Sequence, residues 1–294
     1  MPALIFYIPL ASNKNRLKVF FYTGFALVCF ALNSLLCRLA LGAEAIDAAS
    51  FTAIRLVSGA LALALLDRFF GEKNIKPAKE NWISSLFLFG YAVFFSFAYL
   101  NLATATGALI LFGTVQATML IAALRSGERP GFIESIGWVA AFAGLVYLVF
   151  PGITAPSLSG SILMAAAGVA WGIYTLRGRG AGNPLANTAR NFVCSVVPAL
   201  FLLGFAFYQI HISARGLILA MLSGAITSGV GYAVWYAALK FHTATRAAIL
   251  QLSVPVLTAI GGVILLSEEI SLRLFLASVL ILGGIAFAVI GRKS

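Results

Sequence analysis

Residues 265–291 read LLSEEISLRLFLASVLILGGIAFAVIG, and residues 125–151 read RSGERPGFIESIGWVAAFAGLVYLVFP. Laid over one another with an offset of 140, Glu268 falls on Glu128, Gly284 on Gly144 and Leu265 on Arg125. Each stretch is a short acidic turn followed by an apolar run with a small-residue pair, Gly283–Gly284 in one and Ala143–Gly144 in the other. About 20 apolar residues in helical form cross a hydrocarbon core of about 30 Å. Each run therefore reads as a membrane span, and the two read as one element occurring twice.

Upstream the correspondence continues with small gaps. Phe30-Ala31 pairs with Trp171-Gly172, Arg55 with Arg190, Ala98-Tyr99 with Gly231-Tyr232, and Thr104-Ala105-Thr106 with Thr243-Ala244-Thr245. Ten apolar runs are expected as spans at 19–41, 48–66, 83–102, 105–124, 132–150, 159–177, 187–208, 216–239, 245–266 and 272–291. The composition agrees: 61% of residues are apolar and 10% charged, against about 25% charge in a soluble domain. The fold expected is an all-α membrane protein, ten transmembrane helices in two five-helix repeats around a central cavity. Five is odd, so the second repeat is inverted relative to the first. Inverted repeats of this kind underlie alternating-access transport. The expected organisation is a cytoplasmic or membrane-surface tail over 1–17, a first repeat over 18–151 and a second over 152–294. The first ten residues are apolar but too short to span, and they lack the basic start of a cleaved signal peptide.

Orientation follows from the basic residues. One side receives Lys14, Arg16, Lys18, Arg68, Lys73, Lys76, Lys79, Arg125, Arg129, Arg177, Arg179, Lys240, Arg246, Arg292 and Lys293, fifteen in all. The other receives three, Arg38, Arg215 and Arg273, together with Glu44, Asp47, Glu268 and Glu269. Both termini are thus expected in the cytoplasm, in a bacterial inner membrane. The net charge of +11 is this bias summed over the inner segments and calls for no nucleic acid.

Each half carries a Trp or Phe in its first span, an Arg in the second, an Ala/Gly-Tyr in the third, a Thr-Ala-Thr turn and a Gly-Glu or Glu-Glu before the fifth. Trp235-Tyr236-Ala237-Ala238-Leu239, Thr243-Ala244-Thr245-Arg246-Ala247-Ala248, Pro255 and Ser267-Glu268-Glu269 form the clearest stretch. On these residues the chain resembles the EamA-type branch of the drug/metabolite transporter superfamily over nearly its whole length, and among its members the bacterial aromatic amino-acid exporters. The resemblance implies ten helices, a cavity between the halves and efflux of small metabolites. In the first half Gly107 stands where the second has Arg246, so a role for Arg246 has no partner by symmetry.

Polar groups in hydrocarbon are costly unless they face protein or water, so those inside spans point inward. Asn33, Arg55, Tyr99, Gln116, Trp171, Tyr174, Tyr232, Trp235 and Gln251 are the candidate substrate-binding residues. Phe30, Asn33 and Cys37 share a face, as do Ser223, Thr227, Gly231 and Trp235. A lone Asn or Gln also ties membrane helices together, typically for about 0.6–2 kcal/mol, so both roles stand open for Asn33, Gln116 and Gln251. Tyr22 and Trp138 read as interfacial anchors, and Gly107, Gly113, Gly224, Gly261 and Gly262 as packing residues. Arg55 lies inside its span with no acidic residue in any span interior, which leaves carbonyls, water or a substrate carboxylate as partners. Arg190 lies near a span end and can snorkel.

The first span has no Glu or Asp, so the membrane-embedded carboxylate of four-helix cation exporters is missing. Neutral, zwitterionic or weakly anionic cargo fits better than a cation. Aromatic or hydrophobic amino acids moving down their own gradient are the first reading. A nucleotide-sugar, drug or other metabolite translocator of the same fold, proton-coupled or not, is the alternative. A channel and a passive scaffold rank below. An enzyme is not expected: His211 and His242 fall in connectors, no acidic pair lies within a span, and Ser157-Leu158-Ser159-Gly160 has no His at its depth. Gly229-Val230-Gly231-Tyr232 resembles an ion-filter segment but lies inside an apolar run. Cys29, Cys37 and Cys194 lie in apolar runs and read as packing residues. No cofactor or metal is expected. The expected partners are a small-molecule substrate and membrane lipid, with the chain a monomer or weak dimer.

Overall fold

An unpaired backbone N–H or C=O in hydrocarbon costs several kcal/mol, so an apolar run closes its hydrogen bonds within itself as helix. The computed structural model describes residues 13–71, 82–127, 131–152, 155–178, 183–239, 241–242, 247 and 250–291. Ten helices account for most of them: α1 (Asn13–Leu41), α2 (Ala48–Phe70), α3 (Trp82–Ala98), α4 (Thr104–Arg125), α5 (Phe132–Val149), α6 (Leu158–Gly178), α7 (Pro184–Phe205), α8 (Ala214–Leu239), α9 (Ser253–Leu266) and α10 (Leu272–Gly291). Eight are long and apolar enough to cross a membrane, while α3 and α9 are shorter, at 17 and 14 residues. The all-helical membrane architecture read from the sequence holds among the described residues. The Thr243–Arg246 turn, Ala248, Glu128 and most of the basic connector residues lie outside them.

Helix ends follow local chemistry. Asp47 caps α2 by accepting from Ser50 N, and Asn183 caps α7 by accepting from Ala186 N, with Pro184 at the first helical position. The Asn183 cap starts α7 three residues before the expected 187. Helix α1 starts at Asn13, well before 19, since no Gly or Pro interrupts the basic segment. Helix α3 stops at Ala98 rather than 102, where the chain turns into the start of α4.

One departure matters for the site. Within α8, Ser223–Val230 is wound as a π-helix, flanked by α-helical turns on both sides. Such widened turns are rare and recur at functional sites. Over this stretch α8 is in close contact with α2. A Cβ on Gly224 would collide with the Arg55 carbonyl and Ser58 Oγ, so only glycine lets the two backbones meet. The filter-like Gly229–Tyr232 segment is part of this continuous helix.

Helix α5 packs against α10, α2 against α7 and α8, α3 against α6 and α7, α4 against α6 and α9, and α1 against α8 and α9. The α5–α10 pair crosses at Gly137 and Gly284, where a Cβ on Gly284 would lie 2.6 Å from the Gly137 carbonyl oxygen. Large apolar residues such as Phe20, Phe69, Phe132, Phe205, Ile264 and Leu272 are exposed around the bundle, as suits a lipid-facing surface. Trp138 departs from its expected anchor role. It packs against the core with its indole N–H buried and unpartnered.

Candidate functional site

Near the centre of the bundle, rings from five helices meet. Trp171 of α6 lies 4.8 Å from Tyr91 of α3 and 4.8 Å from Tyr232 of α8, centroid to centroid. Phe30 of α1 packs edge-on to Tyr232 and Trp235, and Phe192 of α7 edge-on to Tyr232. Phe30, Asn33, Ser34, Tyr91, Phe95, Trp171 and Tyr232, with Leu111 and Phe112 of α4, enclose a cavity of about 20 Å³. That volume holds about one water molecule, so the rings fill the centre and the site is closed.

A polar network backs this aromatic wall. Asn33 Oδ1 accepts from Ser223 Oγ at 2.8 Å and Thr227 Oγ1 at 3.3 Å, both in the widened turn of α8. Asn33 Nδ2 donates to the Tyr91 hydroxyl at 3.3 Å. Arg55 Nη2 donates to the same hydroxyl at 3.2 Å, and Arg55 Nε donates to Ser228 Oγ at 3.1 Å. Tyr91 and Tyr232 both line the cavity. The widened turn thus holds Asn33 through Ser223 and Thr227, and Arg55 through Ser228.

Arg55 is 1% exposed. Its guanidinium lies 5.2 Å from the Tyr91 ring centroid and 5.0 Å from that of Phe95, and its Nη1 has no hydrogen-bond partner. Sequence reasoning left carbonyls, water or a ligand as its partners. The protein partners observed are two hydroxyls and two ring faces. Cation–π contacts of this kind are worth about 2 kcal/mol when desolvated, well below the several kcal/mol it costs to take the charge out of water. Arg55 is therefore a buried cation without a full counter-charge, one layer behind the wall of the cavity.

Of the nine candidates, Asn33, Trp171 and Tyr232 line the cavity, and Arg55 and Trp235 pack directly behind it. Tyr174 lies beyond Trp171, 5.5 Å between centroids, and accepts from Asn191 Nδ2. The other three lie elsewhere. Tyr99 is fully buried past the end of α3 and donates to the Thr104 carbonyl, its ring against Gly107. Gln116 is buried one turn beyond Phe112, and Gln251 is half-buried just before α9; neither lines the cavity. Tyr91, Phe95, Ser34 and Ser228 were not among the candidates. Tyr91, Phe95 and Tyr99 recur every four residues, one ring per turn on one face of α3, and that stripe was the available signal.

The end of the bundle carrying Glu268 is fastened. Thr104 N donates to both carboxylate oxygens of Glu268 at 2.9 Å, and Thr104 Oγ1 donates to Oε1 at 2.7 Å. Arg38 donates to the Tyr99 and Leu100 carbonyls and approaches Glu268 to 3.9 Å. At the same end Ile46 bridges Ile212, His211 N donates to Asp47, and Arg273 donates to the Phe150 carbonyl. A recess of about 200 Å³ remains there, lined by Asn101, Thr106, Glu268, Glu269, Ser271 and Arg273 among others. Five of these residue pairs, Thr104–Glu268, Arg38–Glu268, Ile46–Ile212, Asp47–His211 and Phe150–Arg273, join a residue before 152 to one after it. Among the described residues no group of His, Cys, Asp and Glu is placed to hold a metal.

Residues 158–290 match the EamA-like transporter family. An uncharacterized protein of Pseudomonas aeruginosa is 50% identical over 271 residues, which is 92% of this chain and 94% of that one. An uncharacterized transporter of Archaeoglobus fulgidus is 25% identical over 82% of this chain and 93% of its own. The uncharacterized transporter YoaV of Bacillus subtilis is 23% identical over 80% of this chain and 85% of its own. A solved crystal structure shares the fold, with a TM-score of 0.66 and 19% identity, over 95% of this chain and 100% of that one.

Proposed function

We propose, from the premise that this chain belongs to the EamA-like family of the drug/metabolite transporter superfamily and is a multi-pass membrane transporter, that it exports aromatic and hydrophobic amino acids across a bacterial inner membrane. Both termini are cytoplasmic, the Glu268 end faces outward, and the chain works as a monomer or weak dimer. The observation that carries the reading is the closed central cavity: Trp171, Tyr91, Tyr232 and Phe30 around it, and the Arg55 cation behind. Ring faces hold a flat side chain, where offset stacking adds roughly 0.5–1.5 kcal/mol per pair beyond area burial. Arg55 supplies the positive field for a carboxylate.

Alternating access between two inverted repeats, 18–151 and 152–294, accounts for the helix pairing. Number each helix of the second repeat by its counterpart in the first. The α3–α6 contact then maps onto α8–α1, α4–α6 onto α9–α1, and α3–α7 onto α8–α2. The α5–α10, α2–α7 and α4–α9 contacts map onto themselves. A two-fold axis in the membrane plane would produce this pattern. With the Glu268 end read as the outer one, its latch corresponds to a state closed to the outside. No carboxylate lines the cavity, so we read the cycle as facilitated by the substrate gradient. The test is counterflow in proteoliposomes: Phe, Tyr and Trp exchange, while Lys and Asp do not. Equal exchange of Lys and Phe, or exchange of nucleotide sugars alone, refutes the reading.

A further inference from the structure

The hydrogen bonds of the central network all run one way. The Tyr91 oxygen receives Asn33 Nδ2 and Arg55 Nη2, both obligatory donors. A hydroxyl has two acceptor lone pairs, so both are used and the Tyr91 proton is directed away from them, toward the cavity wall it forms with Tyr232. The chain that starts at Arg55 thus leaves the Tyr91 O–H as a donor at the cavity wall. The other strong acceptor, Asn33 Oδ1, is already taken by Ser223 Oγ at 2.8 Å, with Thr227 Oγ1 3.3 Å away sharing its one proton with the Ser223 carbonyl at 2.8 Å. No carboxylate lines the cavity, and the buried Arg55 cation lies behind the wall with Nη1 unpartnered.

From this polarity we infer that the site selects for a carboxylate and against an ammonium, so its best ligands are arylalkanoate anions, aromatic monocarboxylates without an α-amine. The inference rests on the reading that the aromatic cavity is the transport site. A carboxylate accepts the phenolic proton and neutralises the Arg55 field. An α-ammonium finds only neutral hydroxyls and ring faces, with a like charge behind them. A zwitterion gains the first interaction and loses part of it to the second. Tyr91 is the specificity-determining residue, and Arg55 acts through it as a positioning residue.

The experiment compares 3-phenylpropanoate, phenylalanine and phenethylamine, which share a ring and differ in charge, as ligands of the full-length protein in proteoliposomes. Tryptophan fluorescence reads binding and counterflow reads transport. The expected result is 3-phenylpropanoate ahead of phenylalanine by at least about tenfold in affinity, with phenethylamine undetected. Tyr91→Phe keeps the ring, removes the proton donor and narrows the gap to within about threefold. Asn33→Asp keeps the acceptor for Ser223 and Thr227, adds a negative charge next to Tyr91, and shifts the preference toward phenylalanine and phenethylamine. It serves as the second variant where Tyr91→Phe does not fold. Phenylalanine binding as well as or better than 3-phenylpropanoate overturns the inference and leaves aromatic amino-acid export standing. Unchanged preference in both variants overturns the assignment to Tyr91. Failure of both carboxylates to bind or exchange overturns the inference together with the transport reading beneath it.

Discussion

Removing the negative charge of Glu268 should open the Glu268 end of the transporter, which the proposed orientation places outside. In the structure this carboxylate accepts two donors from Thr104, the N–H at the first turn of α4 and the side-chain hydroxyl, and approaches Arg38 to 3.9 Å. Hydrogen bonds to a charged group contribute about 1.5–3 kcal/mol each before solvent competition. An anion at a helix N-terminus adds about 0.3–1 kcal/mol. The ion pair adds about 0–1 kcal/mol, its two side chains being 27% and 17% exposed. Glu268→Gln keeps a neutral acceptor, and charge-assisted bonds are roughly twice as strong as neutral ones. The variant therefore loses about 1–2 kcal/mol of the outward-closed state, a population shift of roughly 5–30-fold. Glu268→Ala loses about 2–4 kcal/mol, roughly 30–1000-fold. The assay starts from a chain in which Cys29, Cys37 and Cys194, all buried, are replaced by Ala. Ser34→Cys then puts a single thiol on the wall of the central cavity. Labelling by a membrane-impermeant thiol reagent from outside should quicken in the order parent, Gln, Ala. Equal rates in all three would show that the Glu268–Thr104 contact does not hold the outer side shut.

Four further outcomes follow from the same geometry. Gly224→Val forces α8 away from the Arg55 carbonyl and should cost about 1–3 kcal/mol, seen as a lower melting temperature in detergent; an unchanged melt would refute the backbone contact. Trp171→Ala removes a ring packed at a tilt against both Tyr91 and Tyr232 and should raise the half-saturating concentration for aromatic cargo by roughly 2–10-fold, with little effect on aliphatic cargo. Gly42→Cys should label in intact cells and Ser294→Cys should not; the reverse pattern overturns the orientation. With equal substrate on both sides of a proteoliposome, an imposed pH gradient should drive no net uphill movement. Uphill movement that a protonophore abolishes would place a proton in the cycle.

The helices were legible in the sequence because membrane spans are set by length and composition, which survive any error in register. The site was only partly legible, for a reason visible in α3. That helix carries Trp82, Phe87, Phe89, Tyr91, Phe94, Phe95 and Phe97, and composition alone cannot rank seven aromatic residues in seventeen. Tyr91 differs from its neighbours because Asn33 and Arg55, from two other helices, converge on its oxygen. Asn33 and Arg55 were legible because isolated polar groups stand out against an apolar background. The same rule picked out Gln116 and Gln251, which lie away from the cavity. The π-wound turn of α8 was illegible because nothing within Ser223–Val230 demands it. It coincides with the close approach of α2 at Gly224, a contact between distant segments.

That turn also ties the make-up of the cavity to helix phase. An α-helix advances about 100° per residue, so a segment with wider turns offsets everything that follows it around the helix axis. Ser223, Thr227 and Ser228 precede the end of the widened stretch, and Tyr232 and Trp235 follow it. Deleting one residue between 223 and 230 would leave α8 a regular helix with every backbone bond made. The wider turns lag an α-helix by about one residue's rotation over these eight residues, so the deletion would leave Tyr232 and Trp235 near their present bearing relative to Ser223. Winding the same eight residues as regular α-helix, with none removed, would instead swing both rings by about 100° away from Phe30 and Trp171, so the widened stretch is what lets one extra residue sit in α8 without moving the cavity wall.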